Sequence, residues 1–368
     1  MNAERLHAIA FEIKRDLGQS NALSLLQQLV SSLSNQVSQP GQPQYQQQTS
    51  QFYAQLLESL AKAEVNNFSP TWRQAIEELG AGKVLGTSLA SRVEDIFSRN
   101  QITPSVAQQE LQELLNELQG LASALDQLLA GLKFLRIGME ELEPGECELG
   151  VLVPRAFVDN RLDRFSDELA ELNQIFGVFA ELATGGRPSF QIRTISSTDL
   201  SVFLEVGAVV GACVATAMER IISLYKQLLE IRKIQGELTK QGVDKKNLKG
   251  LEDHANGIME TGIDALVKQL LVEFKGKADA GRKNELSIEL KFALKKVANR
   301  IDRGFNVEVR MEEPEASPEP EEDKTPEQAA LAKSHAQIQA ASGTLQFLKL
   351  EGAPILSLPE GKPEKAKE

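Results

Sequence analysis

Residues 104–135 read PSVAQQELQELLNELQGLASALDQLLAGLKFL, and this stretch decides the architecture of the first third of the chain. Leu111, Leu115, Leu118, Leu125, Leu129 and Leu132, with Ala122 between them, follow one another at steps of four and three. That spacing lines them up on one side of an α-helix, as in a coiled-coil seam. Leu114, Leu121, Leu128 and Leu135 form a second row seven residues apart. Two rows make a stripe too wide for a two-stranded seam, so the stretch is predicted to be the central helix of a bundle, packed against several neighbours. Thr103-Pro104 places a capping residue and an N1 proline at its start.

Upstream, Leu6, Ile9, Ile13 and Leu17, then Leu26, Leu29, Val30 and Leu33, predict a helical pair over residues 1–37 with a break near Gly18. Residues 38–50 are rich in Gln and Pro, a composition read as a loop or linker. A helix with Phe52, Leu56, Leu57 and Leu60 on one face follows, and Ser69-Pro70 opens another that carries Trp72 and Ile76. The bundle is assigned to 51–142. Gly80-Ala81-Gly82-Lys83 only superficially resembles a phosphate-binding loop, because Val84 stands where Ser or Thr must follow the lysine. It is read as a connection between helices.

Glu143-Pro144-Gly145 is a turn, and past it the period changes. Cys147–Val153 is β-rich and 160–183 is an amphipathic helix. Phe190–Val206 alternates on both sides of Ser196-Ser197-Thr198-Asp199 and reads as a hairpin. Helices over 207–240, 250–274 and 284–303 lead to a last alternating strand, Phe305–Met311. The fold class expected is mainly α with an α+β second half. An N-terminal helical bundle precedes a small sheet of order β-α-β-β-α-α-α-β over 146–311, packed with long helices. Residues 312–327 form an acidic Pro/Glu-rich linker predicted to be disordered. Residues 328–368 form a docking segment with a short helix and two short strands, near 343–350 and 354–358, before a charged tail.

The chain has 368 residues and a net charge of -12, which argues against a nucleic-acid binder. Only 220–310 is basic, with 19 Lys+Arg against 13 Asp+Glu. Lys291, Lys295, Lys296, Arg300 and Arg303 are expected either as a solvated helix face or as a surface for the acidic N-terminal domain or the acidic linker. Two cysteines, Cys147 and Cys213, suit a reducing cytoplasm. No secretory signal is read at the N-terminus.

Catalytic chemistry is thinly provided for. His7, His254 and His335 lie in different segments with no second ligand at metal spacing, and Ser196 to Asp199 have no histidine in range. An enzyme would need Asp199 and His254 to meet in space. Val206–Met218 is a continuous apolar run of 13 residues, short of the roughly 20 a bilayer needs. Gly207, Gly211 and Ala215 make a small-residue face within it, suited to lying flat on a sheet or a helix.

The functional expectation is a non-enzymatic, bacterial-type assembly or adaptor protein of the cytoplasm. It would act through helical contacts with a protein partner or a second copy, with the six seam leucines and Gly207, Gly211 and Ala215 as candidate interaction residues. No catalytic residue, cofactor, metal, nucleic acid or small-molecule substrate is expected, and a membrane only conditionally. The alternative is a regulated membrane-perturbing effector of a defence or conflict system, using residues 206–217.

Overall fold

The computed structural model describes residues 3–140, 142–196, 200–274, 280–315, 325–345, 348 and 350–361. The chain is 70% helical, with eleven α-helices and a four-stranded antiparallel sheet among the described residues. It divides into two compact units, Met1–Glu141 and Leu142–Glu368.

The first unit is all helical: α1 (Ala3–Gln19), α2 (Ala22–Ser38), α3 (Pro43–Ala61), α4 (Pro70–Glu78), α5 (Gly86–Arg99) and α6 (Pro104–Phe134). Between α1 and α2 the chain turns at Asn21, whose φ of 50° lies in the left-handed region that Asn tolerates better than most residues. Ser69 Oγ accepts from the Trp72 amide at the start of α4. Thr103 does not cap α6; its hydroxyl donates to Asn100 Oδ1 instead.

Leu111, Leu114, Leu115 and Leu118 of α6 are buried with Leu26, Leu29 and Leu33 of α2, Leu56 and Leu60 of α3, and Leu89 and Val93 of α5. One turn-pair further on, Leu125 joins a second cluster with Ile9 and Ile13 of α1 and Trp72 and Ile76 of α4. Both leucine rows are therefore used inside the unit. The stripe runs out at the C-terminal end, where Phe134 is 87% and Leu135 66% exposed. Leu118→Ala should destabilise the unit by about 2–5 kcal/mol and Leu135→Ala by no more than about 0.5 kcal/mol. Chemical denaturation of the two variants checks this, and equal costs would refute the packing described.

The structure differs from the sequence reading over 38–50. From Pro43 onward these residues are helical, with Pro43 at the first position of α3. The many Gln residues are good helix formers that occupy the outer face. The inner face is carried by Thr49, which is buried and bonds to Ser32 Oγ of α2 at 3.0 Å. The glycine stretch at 80–86 connects helices through a short 3-10 turn, Gly82–Val84, with Val84 buried.

In the second unit come β1 (Cys147–Val153), α7 (Leu162–Thr184), β2 (Gln191–Ser196), β3 (Leu200–Val206), α8 (Ala208–Lys240), α9 (Lys245–Glu273), α10 (Ala280–Asp302), β4 (Asn306–Met311) and α11 (Pro326–Ser342). The strand order is β2-β3-β1-β4, all antiparallel. Leu149 pairs with Leu204 on one side and Val309 on the other. Alternation then sends Cys147, Leu149, Val151, Val153, Val206, Val307, Val309 and Met311 into one core with the helices. The axis of that core is α8, where Ala212, Cys213, Val214, Ala215, Ala217 and Met218 have no exposed surface.

Four expectations fall wholly or partly outside the described residues: the hairpin turn at 196–199, the acidic stretch at 316–324, the strand near 343–350, of which 346, 347 and 349 are not described, and the charged tail beyond 361. Thr325 begins α11 with a capping box to Gln328. No strand forms among the described residues of 343–361. The predicted strand at 354–358 is instead an extended segment held by side chains.

Candidate functional site

A buried polar arrangement in the second unit surrounds that extended segment, Glu351–Gly361. Tyr225 and Arg232 stand seven residues apart on one face of α8, Asn256 lies on α9, and Asn299 and Asp302 lie three apart at the end of α10. Helical geometry brings each pair to a common side. Between them they form a groove.

Arg232 Nε donates to the Glu351 carbonyl at 2.9 Å and Nη2 to the Gly352 carbonyl at 2.7 Å. Its Nη1 donates to Asp302 Oδ1 at 2.7 Å, to the Asp302 carbonyl and to the Tyr225 hydroxyl. Asp302 is completely buried; Oδ1 also accepts from Tyr225, and Oδ2 accepts the amides of Ile355 and Leu356 at 2.8 and 2.7 Å. Burial, and then the Asp302 carboxylate, push the Tyr225 phenol well above its ordinary pKa, so it acts as a hydroxyl donor at any physiological pH.

Further along, Asn299 donates to the Leu358 carbonyl and accepts the Leu358 amide, both at 3.0 Å, and also donates to Glu360 Oε1 at 2.7 Å. Asn256 accepts the Ser357 amide at 2.9 Å and donates to the Ser357 hydroxyl. These contacts are largely to main chain. Ile355, Leu356 and Leu358 point the other way, into the core of the unit. At Gly352 the φ of +82° favours glycine, and a Cβ added at Gly236 of α8 would lie 3.7 Å from the Gly352 Cα.

A cleft opens at each end of the segment. One, of about 330 Å³, is lined by Lys233, Lys240, Leu248, Glu252 and Pro354. The other, of about 350 Å³, is lined by Phe157, Arg164, Glu168, Lys296, Arg300 and Glu360. There Arg300 donates to both oxygens of Glu168 at 2.6 and 3.0 Å, with both side chains buried. Burial raises the Glu168 pKa and the two Arg300 bonds pull it back.

Four of the five basic residues expected at 291–303 pair with carboxylates of the same unit and so do not form a wholly solvated face, whereas Arg303 is exposed and lies over the Phe157 ring at 5.6 Å. Lys291 pairs with Asp264, Lys295 with Glu260 and Lys296 with Glu171, alongside Arg300 with Glu168. Carboxylates on α7 and α9 neutralise that helix face.

The predicted interaction residues lie mostly inside. Leu111, Leu115, Leu118, Leu125 and Leu132 are buried and Leu129 is half-buried. Ala215 is buried, and Gly211 packs against Cys147 and Val309 of the sheet with no room for a Cβ. Gly207 has open space around it. By length and composition α8 could cross a membrane, and most of its apolar stretch is buried inside the unit. His254 is exposed on α9, whereas Asp199 lies outside the described residues. Among the described residues no group of three or more His, Cys, Asp or Glu could hold a metal. Burial pushes the Cys147 thiol up to about 12 and raises that of Cys213, which makes both poor nucleophiles.

The sequence reading missed Tyr225, Arg232, Asn256, Asn299 and Asp302. The available signal was a polar residue recurring on the apolar face of each helix, as at Arg232 beside Leu228 and Asp302 beside Ile301. No family model, curated protein or solved structure matches the chain.

Proposed function

We propose that this chain is a non-enzymatic assembly or adaptor protein. The observation that carries this reading is the groove of the second unit, which grips an extended segment through its main chain while apolar side chains fill the core. That combination is how proteins recognise peptides: main-chain bonds give affinity and side-chain pockets give specificity. The arginine, aspartate and tyrosine within it are bonded to one another and to the segment, an arrangement suited to holding rather than to proton transfer. The exposed end of α6, at Phe134 and Leu135, adds an apolar helical surface left over after the bundle closes. A cytoplasmic setting belongs to the same proposal and accords with two free cysteines.

A membrane-perturbing role would require residues 206–217 to leave the core, exposing Val210 and the run from Ala212 to Ala215, all buried. Replacing those contacts is costly, and no observation favours the event over the adaptor reading.

Sedimentation velocity of the full chain, over roughly 1–100 μM where ordinary protein affinities lie, tests the proposal together with quantitative capture from cell extract. Self-association, or a stoichiometric complex weakened roughly tenfold by Phe134→Asp with Leu135→Asp, is expected. A strict monomer in both settings would overturn it.

A further inference from the structure

The geometry points to Glu351–Gly361 as an exchangeable occupant of its groove, which takes in trans an extended peptide bearing two adjacent aliphatic residues, a third two positions later and a carboxylate two beyond that. This rests on the adaptor reading and names the partner's chemistry. The pattern is written in the resident segment as Ile355, Leu356, Leu358 and Glu360. The aliphatic side chains are buried, and the Glu360 carboxylate receives Asn299 Nδ2 at 2.7 Å with Arg300 Nη1 at 3.8 Å.

Three observations support exchange over permanent burial. First, the segment forms no helix or sheet of its own, so its main-chain bonds are those the groove side chains supply. Second, the ion pair at the centre of the groove does not depend on the segment, whose departure frees there only Arg232 Nε and Nη2 and Asp302 Oδ2 for the main chain of another peptide. Arg232, Asp302 and Tyr225 keep their mutual bonds, so no bare charge is left when the segment departs. Asn256 and Asn299 then face water, where amides are well solvated. Third, the groove continues past its occupant into a cleft at either end.

The two clefts leave an incoming peptide room at the ends of the resident segment. The segment is tethered to α11 by residues 343–350, giving it an effective concentration of the order of millimolar, which an external peptide must beat. A longer peptide reaches Lys233 and Lys240 at one end, or Arg164 at the other, with which the described part of the segment shares a cleft but, among the described residues, no hydrogen bond or ion pair.

The test uses the full chain with Leu358→Asp, which places a charge in the core position and expels the segment, and a fluorescent synthetic peptide of sequence EGAPILSLPEG. The variant should bind the peptide at least about 100-fold more tightly than the parent chain does. Adding Asn299→Ala should remove most of that gain, and a peptide with Glu360→Lys should bind roughly tenfold more weakly. A folded Leu358→Asp chain that binds no better than the parent would overturn the proposal, even if the chain still assembles with partners.

Hydrogen exchange of the unaltered protein gives an answer that does not depend on the variant folding. The amides of Ile355, Leu356, Ser357 and Leu358 should exchange through a local opening well before those of Val214 to Ile222 in α8. Exchange of both sets only by global unfolding would overturn the proposal.

Discussion

Asp302→Ala is expected to destabilise the second unit by about 3–5 kcal/mol, the usual cost of stripping the partner from a buried charge. Asp302 is fully enclosed, and its carboxylate answers four donors: Arg232, Tyr225 and the amides of Ile355 and Leu356. Without it the Arg232 guanidinium keeps the Asp302, Glu351 and Gly352 carbonyls but has no counter-charge. Two main-chain amides also lose their acceptor, each at about 1–3 kcal/mol if they stay buried. The cheaper response is for 351–361 to detach so that those amides meet water. Urea denaturation should therefore show a lower midpoint, and limited proteolysis should cut faster within 343–361 than in the parent. Asp302→Asn, which keeps a carbonyl acceptor but not the charge, should fall between the two. A loss under about 1 kcal/mol in Asp302→Ala, with unchanged proteolysis, would mean that the network does not hold the segment.

The predictability of each element from sequence follows from what a hydrophobic pattern encodes. Periodicity reports which side chains are buried, and it does so well where burial has one direction. Leu111 to Leu118 and the alternation in Cys147–Val153 and Asn306–Met311 are cases in which one stripe or one face meets one core. The pattern does not report what satisfies the main chain. Pro354 to Leu358 has the aliphatic content of a strand and buries Ile355, Leu356 and Leu358, yet its amides go to Asp302, Asn256 and Asn299 rather than to a neighbouring strand. Those partners lie 53 to 101 residues away in sequence, beyond any local signal. The same limit explains the Gln-rich start of α3, where composition described the exposed face and Thr49 alone marked the buried one. It explains α10 too: a run of basic residues is the same whether water or the carboxylates of α7 and α9 surround it.

Gly211→Val is the second substitution with a large expected effect, about 3 kcal/mol or more. Glycine within a helix ordinarily costs about 1 kcal/mol against alanine, so replacing it should help unless space forbids. Space does forbid it. A Cβ at Gly211 would fall inside the van der Waals envelope of Cys147 Sγ and 3.3 Å from Val309 Cγ1, both on buried strands. A Cβ at Gly236 on the same helix would meet Gly352 Cα at 3.7 Å, an ordinary contact, and Gly236→Ala should be neutral or stabilise by up to about 1 kcal/mol. Combining Gly211→Ala with Cys147→Ala vacates the space the sulfur held, so the pair should be more stable than the sum of the single changes implies, by at least about 1 kcal/mol. Denaturation of the four members of that cycle distinguishes two roles for the small-residue face. If Gly211 exists to let α8 lie on its own sheet, Cys147→Ala rescues it. If Gly211 exists to let α8 meet another helix in a membrane or an oligomer, the strand cysteine is irrelevant and the two substitutions add. Additivity within about 0.3 kcal/mol would therefore reopen the membrane reading of residues 206–217, and strong coupling would tie that segment to the core on which the peptide groove is built.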